Sequence, residues 1–388
     1  MKLDGIRVLD LSLFLPGPTA TVMLADHGAE VIKVESLGEG EPNRHIGQRR
    51  GDRSVYFDNT HRGKKSLALN LKDPRGRALF LELAATADVI VEAFRPGVVK
   101  RLGVDYDAVA AVNPGIVYAS VSAFGQTGPL VGRPAHDLAV EALVGLLSNN
   151  VDRDGRPVLP AMPAGDMLAA AYAVAGIAMA LYRRSQTGRG DYLDLAMMDS
   201  ILFSMPNSLG AAFAEQRAPI PAEERIWGGN AFYRIYRCQD GLDLVLGGVE
   251  MKFVQALLGA LDREDLIDLC RQPGPGQAPV VAFLEETFAS APRAHWEAFL
   301  APLDVCWAPV NDLRTALHEP QLAAREMVLK DEQGHEFLGA PLKFRQEPPA
   351  PGLKSPDHGA HSRALLESLG RSEDDIAALL AAGVIGGA

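Results

Sequence analysis

The chain has few cysteines, and their spacing argues against two kinds of stabilised scaffold. Only Cys238, Cys270 and Cys306 occur, they lie far apart, and no CxxC pair is present. A disulfide framework needs an even, closely spaced set, and a structural zinc site needs paired ligands. We therefore expect reduced thiols and no metal.

Positive charge is also scarce. The chain has 38 Lys and Arg against 49 Asp and Glu, which gives a net charge of −11 at neutral pH. A protein this acidic is a poor candidate for general binding of nucleic acid. An anionic ligand would have to be held by a local cluster of basic residues.

Long apolar runs and the dinucleotide fingerprint are missing as well. No stretch of 18 apolar residues occurs. The most apolar segment, 167–182, is followed by Arg183 and Arg184, which favours a buried helix over a membrane span. The N-terminus begins directly with a strand pattern and lacks the form of a signal peptide. The turn at 12–19 lacks GxGxxG, which disfavours nicotinamide chemistry. We expect a cytoplasmic protein without a membrane partner.

What remains is the alternation of an α/β protein. Apolar runs that predict buried strands alternate with segments that predict helices, and β-α-β units of this kind form parallel sheets. The strands are predicted at 6–12, 31–35, 87–94, 115–124 and 191–196, and helices at 17–30, 73–87, 134–150 and 166–184. The fold class is therefore α/β, with an open parallel sheet.

A change of composition indicates a domain boundary. The segment 211–224 is rich in Ala, Pro and Glu, and it separates a large domain at 1–210 from a smaller α+β domain at 225–330. The smaller domain begins with a predicted two-stranded ribbon at 231–248. Residues 331–388 contain a Pro-rich stretch and a terminal helix.

Two clusters of basic residues follow predicted strands or loops. Arg62 and Lys64 lie beside Gly63, and Arg95 and Arg101 follow the strand that ends near residue 94. Ligands of open α/β sheets bind at the carboxyl ends of the strands, where cations suit a phosphate-bearing ligand. Runs of this kind are more often simply solvated surface.

Three further residues are candidates for chemistry. Asp166 stands at a predicted helix start, where it is either a helix N-cap or a carboxylate facing a ligand. His136 is either a hydrogen-bonded structural residue or, with Asp166, one of two groups that exchange a proton with a substrate carbon. Glu250 is either an exposed residue at a helix start or a member of the same site.

Several segments together resemble the CaiB/BaiF family, also called family III CoA transferases. The likeness extends from about residue 3 to about residue 345. It is carried by LDGIRVLDLS, HGAEVIKVE, RGKKSLALNLK, ADVIVEAFRPGVVKRLG, NPGIVYASVSAFGQTGP and TGRGDYLDLAMMD.

The resemblance implies a specific architecture. It implies a large Rossmann-like domain that binds CoA and is built from both chain ends, so that 331–388 returns to 1–210. It also implies a smaller domain at 225–330 and a homodimer of two interlocked subunits. Arg62, Lys64, Arg95 and Arg101 are the residues that we expect to hold CoA.

The resemblance also implies a reaction. Transferases of the family use an aspartate that matches Asp166 to form an aspartyl-CoA thioester, with an acyl-CoA donor and a small carboxylic acid as acceptor. Coenzyme A is then part of the substrate, and no permanently bound cofactor is needed.

The family contains α-methylacyl-CoA racemases, which are the alternative. They use a His, the same Asp and a Glu, matched here by His136, Asp166 and Glu250. Leu15 replaces a Gln of the formyl-CoA transferases, which disfavours that activity. A third reading, a CoA-binding protein without turnover, predicts a lost nucleophile, whereas Asp166 is present.

Overall fold

The computed structural model describes residues 1–152 and 154–387 and forms two compact units. The first unit comprises Met1–Val144, Met162–Ser204 and Pro320–Ala388, and the second comprises Gly145–Ala161 and Met205–Glu319. The domain boundaries predicted from composition, at 210, 225 and 330, stay a prediction.

The strands are short and carry mainly buried side chains in the first unit. In chain order they are β1 (Arg7–Asp10), β2 (Glu30–Glu35), β3 (Arg49–Arg50), β4 (Arg53–Ser54), β5 (Lys65–Leu69), β6 (Val89–Glu92), β7 (Val117–Ser122), β8 (Asp191–Ala196), β9 (Tyr233–Arg237), β10 (Asp243–Gly247), β11 (Trp307–Pro309), β12 (Val328–Lys330), β13 (Glu336–Leu338) and β14 (Ile385–Gly386).

The helices range from one turn to more than six. In chain order they are α1 (Pro16–Asp26), α2 (Val55–His61), α3 (Pro74–Ala84), α4 (Val98–Leu102), α5 (Tyr106–Val112), α6 (Asp137–Leu143), α7 (Ala164–Thr187), α8 (Met197–Phe203), α9 (Gly210–Ala214), α10 (Met251–Ala260), α11 (Ala278–Ala289), α12 (Arg293–Leu300), α13 (Leu313–Ala316), α14 (Pro320–Ala324), α15 (Ser362–Ser368) and α16 (Glu373–Ala381).

The first unit is built on a seven-stranded sheet with the order β14-β5-β2-β1-β6-β7-β8. Every neighbouring pair is parallel except β14 and β5, which are antiparallel, with Ile385 opposite Leu69. This confirms the predicted α/β fold with a large, mostly parallel sheet. Because parallel strands end at one edge, Asp10, Glu35, Glu92 and Ser122 close the same edge of the sheet.

Both faces of this sheet are covered, which explains why its strands read as continuous apolar runs. Leu9 and Ile32 point into a core shared with α3, α5, α15 and α16. Val8 and Val31 point into the opposite core, which Leu24 of α1 and Ile177 of α7 complete.

The second unit has its own core and sheet. The ribbon predicted at 231–248 forms as β9 and β10, and β11 joins as a third antiparallel strand. Leu244 and Leu246 of β10 pack against Leu257 of α10, Leu284 of α11 and Trp296 of α12.

Some local predictions were wrong. The helix predicted at 134–150 ends at Leu143, because Gly145 adopts a left-handed backbone with φ of 85° and the chain turns there. The short helices α4 and α5 were not predicted, since each is too short to show a clear periodicity. Strand β5 was not predicted either.

Within the described residues, α7 alone is long and apolar enough to cross a membrane by length and composition. The helices that form the cores of globular proteins pass the same test. Here α7 packs against α1, α8 and β7. Only 28% of its most apolar 18-residue segment is buried within the chain.

Candidate active site

A cavity of about 390 Å³ opens at the carboxyl edge of β6 and β7 in the first unit. Three residues predicted as site residues line it together: Asp166, His136 and Arg95. We call it the Asp166 cavity. Its other lining residues are mainly apolar, and they are Leu13, Phe14, Pro16, Ala93, Phe94, Pro96, Val98, Val121, Ser122, Ala123, Phe124, Gly125, Val131, Arg133, Ala135 and Met197.

Asp166 is the third residue of α7, so the alternative that it caps this helix is wrong. The helix start is capped from α6 instead. Asp137 Oδ1 accepts a hydrogen bond from the Asp166 backbone N–H at 3.0 Å, and Glu141 Oε1 accepts one from Ala164 N–H at 2.9 Å. Because these two carboxylates satisfy the helix terminus, the Asp166 side chain is left to face the cavity.

The environment makes Asp166 a strong base for a carboxylate. Burial, followed by the negative charges of Asp137 and Glu141, raises its pKa to about 7. Burial also raises the pKa of Glu141 to about 6. A carboxylate with a higher pKa binds a proton more tightly and is the better nucleophile once ionised.

Gly165 permits the close approach of α7 to α6 and α8. A Cβ at this position would lie 2.8 Å from Asp137 Oδ1 and 3.1 Å from Ile201 Cδ1. The first of these contacts is shorter than real Cβ contacts, so a side chain here would displace the carboxylate that caps α7. The glycine before Asp166 is thus required by packing.

His136 directly precedes α6 and is exposed on the wall of the cavity. Its ring meets the ring of Phe14 edge-on, with 6.0 Å between centroids. The imidazole and the Asp166 carboxylate therefore border one space.

The cations of the cavity are only in part the predicted ones. Arg95 and Arg133 line it and are exposed, while Arg101 is exposed on α4. Among residues 1–152 and 154–387, these three guanidinium groups make no hydrogen bond or ion pair. Sequence reasoning missed Arg133, although it stands in the Gly-rich and Pro-rich loop three residues before His136.

Arg62 and Lys64 lie elsewhere, and each is committed to a buried carboxylate. Arg62 is 2% exposed and forms a two-pronged ion pair with Asp26, one arm of which measures 2.9 Å. Lys64 Nζ lies 2.9 Å from Asp10 Oδ2. Moving either cation to a ligand would leave a buried carboxylate unpaired, which is costly. We therefore leave both out of the proposed CoA site.

Glu250 directly precedes α10 and is exposed. It belongs to the second unit, whereas His136 and Asp166 belong to the first. Its role in catalysis stays a prediction.

Known proteins with a similar sequence or structure agree with the motifs. The model of CoA-transferase family III matches residues 3–362. The chain is 36% identical to an acetyl-CoA:oxalate CoA-transferase of Acetobacter aceti, over 90% of this chain and 92% of that protein. It is 31% identical to the human α-methylacyl-CoA racemase, over 97% of this chain and 95% of that protein.

A solved structure adds the fold. The crystal structure of a CaiB/BaiF family protein from Brucella suis superposes with a TM-score of 0.82 at 29% identity, covering 95% of this chain and 99% of that one. The family predicted from the motifs is thereby confirmed, and this chain belongs to CoA-transferase family III.

Proposed function

We propose that this protein is a CoA transferase that moves CoA between carboxylic acids through an aspartyl-CoA thioester on Asp166. The observation that carries the proposal is the Asp166 side chain itself. It lies at the wall of a cavity, its helix is capped by other residues, and its pKa is raised to about 7 by burial and two neighbouring acids.

The chemistry needs an ionised carboxylate and conserves the thioester. Asp166 attacks the carbonyl carbon of the donor acyl-CoA, which gives a mixed anhydride and releases CoA thiolate. The thiolate attacks the Asp166 carbonyl, forms the aspartyl-CoA thioester and releases the donor acid. The acceptor carboxylate then attacks this thioester, and the thiolate completes the new acyl-CoA while Asp166 is regenerated.

The cavity offers what a CoA thioester requires. Arg95 and Arg133, which have no ion-pair partner in the described part of the chain, can bind phosphate oxygens, and Arg101 on α4 is a further cation for the same anion. The apolar side chains of Leu13, Phe94 and other lining residues suit the pantetheine arm. The thioester would then reach Asp166.

The named relatives support a small acid as acceptor. The Acetobacter aceti relative is named for acetyl-CoA and oxalate, and a mouse relative with 31% identity is named for succinyl-CoA and glutarate. We propose the same substrate class here, an acyl-CoA and a small carboxylic acid, with no permanent cofactor.

A second candidate is a 2-methylacyl-CoA racemase. It is favoured by one observation, that His136 and Asp166 border the same cavity. One residue would remove the α-proton and the other would return it, with Glu250 assisting. Racemisation never breaks the thioester, so the two candidates give different products.

We also propose that the protein is a homodimer with interlocked subunits, in which the large domain is built from both chain ends. The support is an apolar surface left uncovered on the first unit. Met179 and Tyr182 on α7 are 66% and 70% exposed, and Phe203 on α8 is 76% exposed. An exposed apolar surface of this kind suits contact with a second copy of the chain.

The direct test is incubation with a panel of acyl-CoAs and free acids, with mass spectrometry of the products. The proposal expects new acyl-CoA species formed from the added acids, and none with Asp166→Asn. Inversion of configuration or hydrogen exchange at the α-carbon, without any new acyl-CoA, would identify the racemase instead.

A further inference from the structure

Phe14 holds an unusual backbone conformation at the wall of the Asp166 cavity. It has a φ of 63°, in the left-handed region that favours glycine. Its Cβ makes this conformation unfavourable, and a bulky residue adopts it only where the surroundings determine it. Of the four described non-glycine residues with positive φ, which are Phe14, Gln216, Asp262 and Glu326, Phe14 alone lines the cavity.

Two buried side chains hold the Phe14 peptide groups. Glu41 Oε1 accepts a hydrogen bond from the Phe14 backbone N–H at 2.8 Å, and the Asn43 side-chain amide donates to the Phe14 carbonyl. Glu41 and Asn43 are both 0% exposed. The strained conformation is therefore fixed on both sides by groups that solvent does not reach.

Glu41 is itself anchored by Lys33. Lys33 Nζ lies 3.2 Å from Glu41 Oε2, and it also donates to the backbone carbonyl of Ser12, two residues before Phe14. Ser12 in turn donates its hydroxyl to Asp10 Oδ1 at 2.5 Å. One buried lysine thus holds this loop directly at Ser12 and, through Glu41, at Phe14.

The charges beneath the loop balance. Asp10 and Glu41 oppose Lys33 and Lys64, and all four are buried. Burial holds the pKa of His61 well below its ordinary value, with the charges of Lys64 and Lys33 acting in the same direction, so its ring stays neutral beside them. These buried, paired charges resist rearrangement, since any displacement would leave a buried charge unpaired.

Phe14 and Asp166 line the same cavity. Phe14 is 39% exposed, and its ring meets the ring of His136 edge-on. An apolar side chain carried on a fixed backbone in this cavity would form a wall of fixed depth. A side chain on a flexible loop would instead yield to a longer acyl group.

We propose that Phe14 is a specificity-determining residue that contacts the acyl group and limits its length, and that Glu41 and Asn43 are positioning residues that hold it there. The proposal rests on the acyl-CoA site of the proposed function, and it does not depend on the transfer step. It predicts a preference for short acyl groups built into the backbone before α1.

The test compares acyl-chain selectivity in binding with Phe14 replaced. Asp166→Asn serves as the background, so that no turnover occurs during titration. Calorimetry then measures the Kd values of CoA, acetyl-CoA, butyryl-CoA and octanoyl-CoA with and without Phe14→Gly. Glycine adopts positive φ without penalty, so this variant keeps the loop conformation and removes only the ring.

Phe14→Gly is expected to raise the affinity for octanoyl-CoA relative to acetyl-CoA by about tenfold or more, because the chain gains apolar contact that the ring had blocked. The Kd of CoA itself should stay within about twofold, because CoA lacks the acyl group. Glu326→Gly is the matched control. Glu326 has a φ of 52°, is exposed and lies outside the cavity, so its replacement relieves the same backbone conformation without changing selectivity.

Asn43→Ala tests the positioning role. It leaves the ring in place and removes the donor to the Phe14 carbonyl, so selectivity should shift in the same direction by a smaller factor while the Kd of CoA is kept. A Phe14→Gly protein with an unchanged ratio of octanoyl-CoA to acetyl-CoA affinity, or with equal changes for CoA and every thioester, would overturn the proposal. Absence of binding to any acyl-CoA in the Asp166→Asn protein would instead contradict the proposed function.

Discussion

Asp10 and Asp166 show how neighbours set the behaviour of a carboxylate. Burial by itself raises the pKa of each. Around Asp10 burial is opposed by the charges of Lys33 and Lys64 and by the Ser12 hydrogen bond, among other groups, and together these hold the pKa below its ordinary value. Around Asp166 the neighbours are Asp137 and Glu141, which add to burial and bring the pKa to about 7. The first carboxylate is therefore a permanent anion in the framework, and the second gains or loses a proton near neutral pH.

The pH dependence of turnover follows from this difference. Only ionised Asp166 is nucleophilic, so kcat/KM should rise with pH through about 7 and level off above it. Asp137→Asn keeps an oxygen that can accept the Asp166 N–H bond but removes the negative charge. The rising limb should therefore move to lower pH.

A pH–rate profile of the variant checks this expectation, with Asp107→Asn on α5 as a control that removes an exposed carboxylate elsewhere. An unchanged limb in the Asp137→Asn protein would remove Asp166 as the titrating group.

The basic residues divide into ligand-binding candidates and framework. Arg133→Ala should raise the Kd of CoA by about one order of magnitude, which is the effect of losing one charge-assisted hydrogen bond of about 1.5 kcal/mol or more. The free energy of unfolding should hardly change, because Arg133 is exposed and unpaired within the described part of the chain.

Arg62→Ala, in contrast, should lower the free energy of unfolding. It leaves buried Asp26 without its partner, at a cost of about 3–5 kcal/mol. Calorimetry with CoA and urea unfolding distinguish the two roles. Equal loss of stability in both variants would show that Arg133 is framework as well.

At the scale of elements, the site depends on how α6 and α7 meet. Gly165→Ala places a Cβ against Asp137 Oδ1 and Ile201, so the cap of α7 must move. We expect a loss of about 1–3 kcal/mol in the free energy of unfolding and a fall in kcat, since Asp166 follows directly. Gly259→Ala in α10 is the matched control. Its Cβ would meet nothing closer than 4.0 Å, so it should be neutral or stabilising by about 0.5–1 kcal/mol.

Urea unfolding and initial rates check both glycine variants. Normal kcat in a stable Gly165→Ala protein would mean that the approach of the two helices does not position the nucleophile.

The same elements show what the sequence could and could not predict. The strands β1 and β2 and the long helix α7 were predictable, because they have continuous apolar runs or clear helical periodicity. Asp166 was recognised by its place after Gly165, but its environment was not, since Asp137 and Glu141 approach it only through tertiary packing. Lys64 pairs with Asp10, which lies 54 positions away in the sequence. A basic segment that is typical of a solvated surface therefore contributes a buried ion pair, which the sequence alone could not indicate.

At the scale of the whole molecule, a proposed second copy accounts for the exposed apolar face of α7 and α8. Light scattering should find a particle of about twice 41.5 kDa. Phe203→Glu places a charge on this face and should yield monomer or aggregate with lower stability. Val112→Glu, at an exposed apolar position on α5, should leave the dimer intact. A stable and active monomer of the unaltered protein would contradict the proposal.

The central claim is that Asp166 becomes covalently linked to the substrate. The most direct measurement is incubation with an acyl-CoA in deuterium oxide without acceptor acid, followed by hydroxylamine and mass spectrometry of the peptide that contains Asp166. The account predicts a hydroxamate on Asp166 in the unaltered protein, none in Asp166→Asn, and only modest loss of it in His136→Ala. Exchange of the α-hydrogen of a 2-methylacyl-CoA, lost in His136→Ala and without any trapped Asp166 adduct, would contradict it and identify the racemase instead.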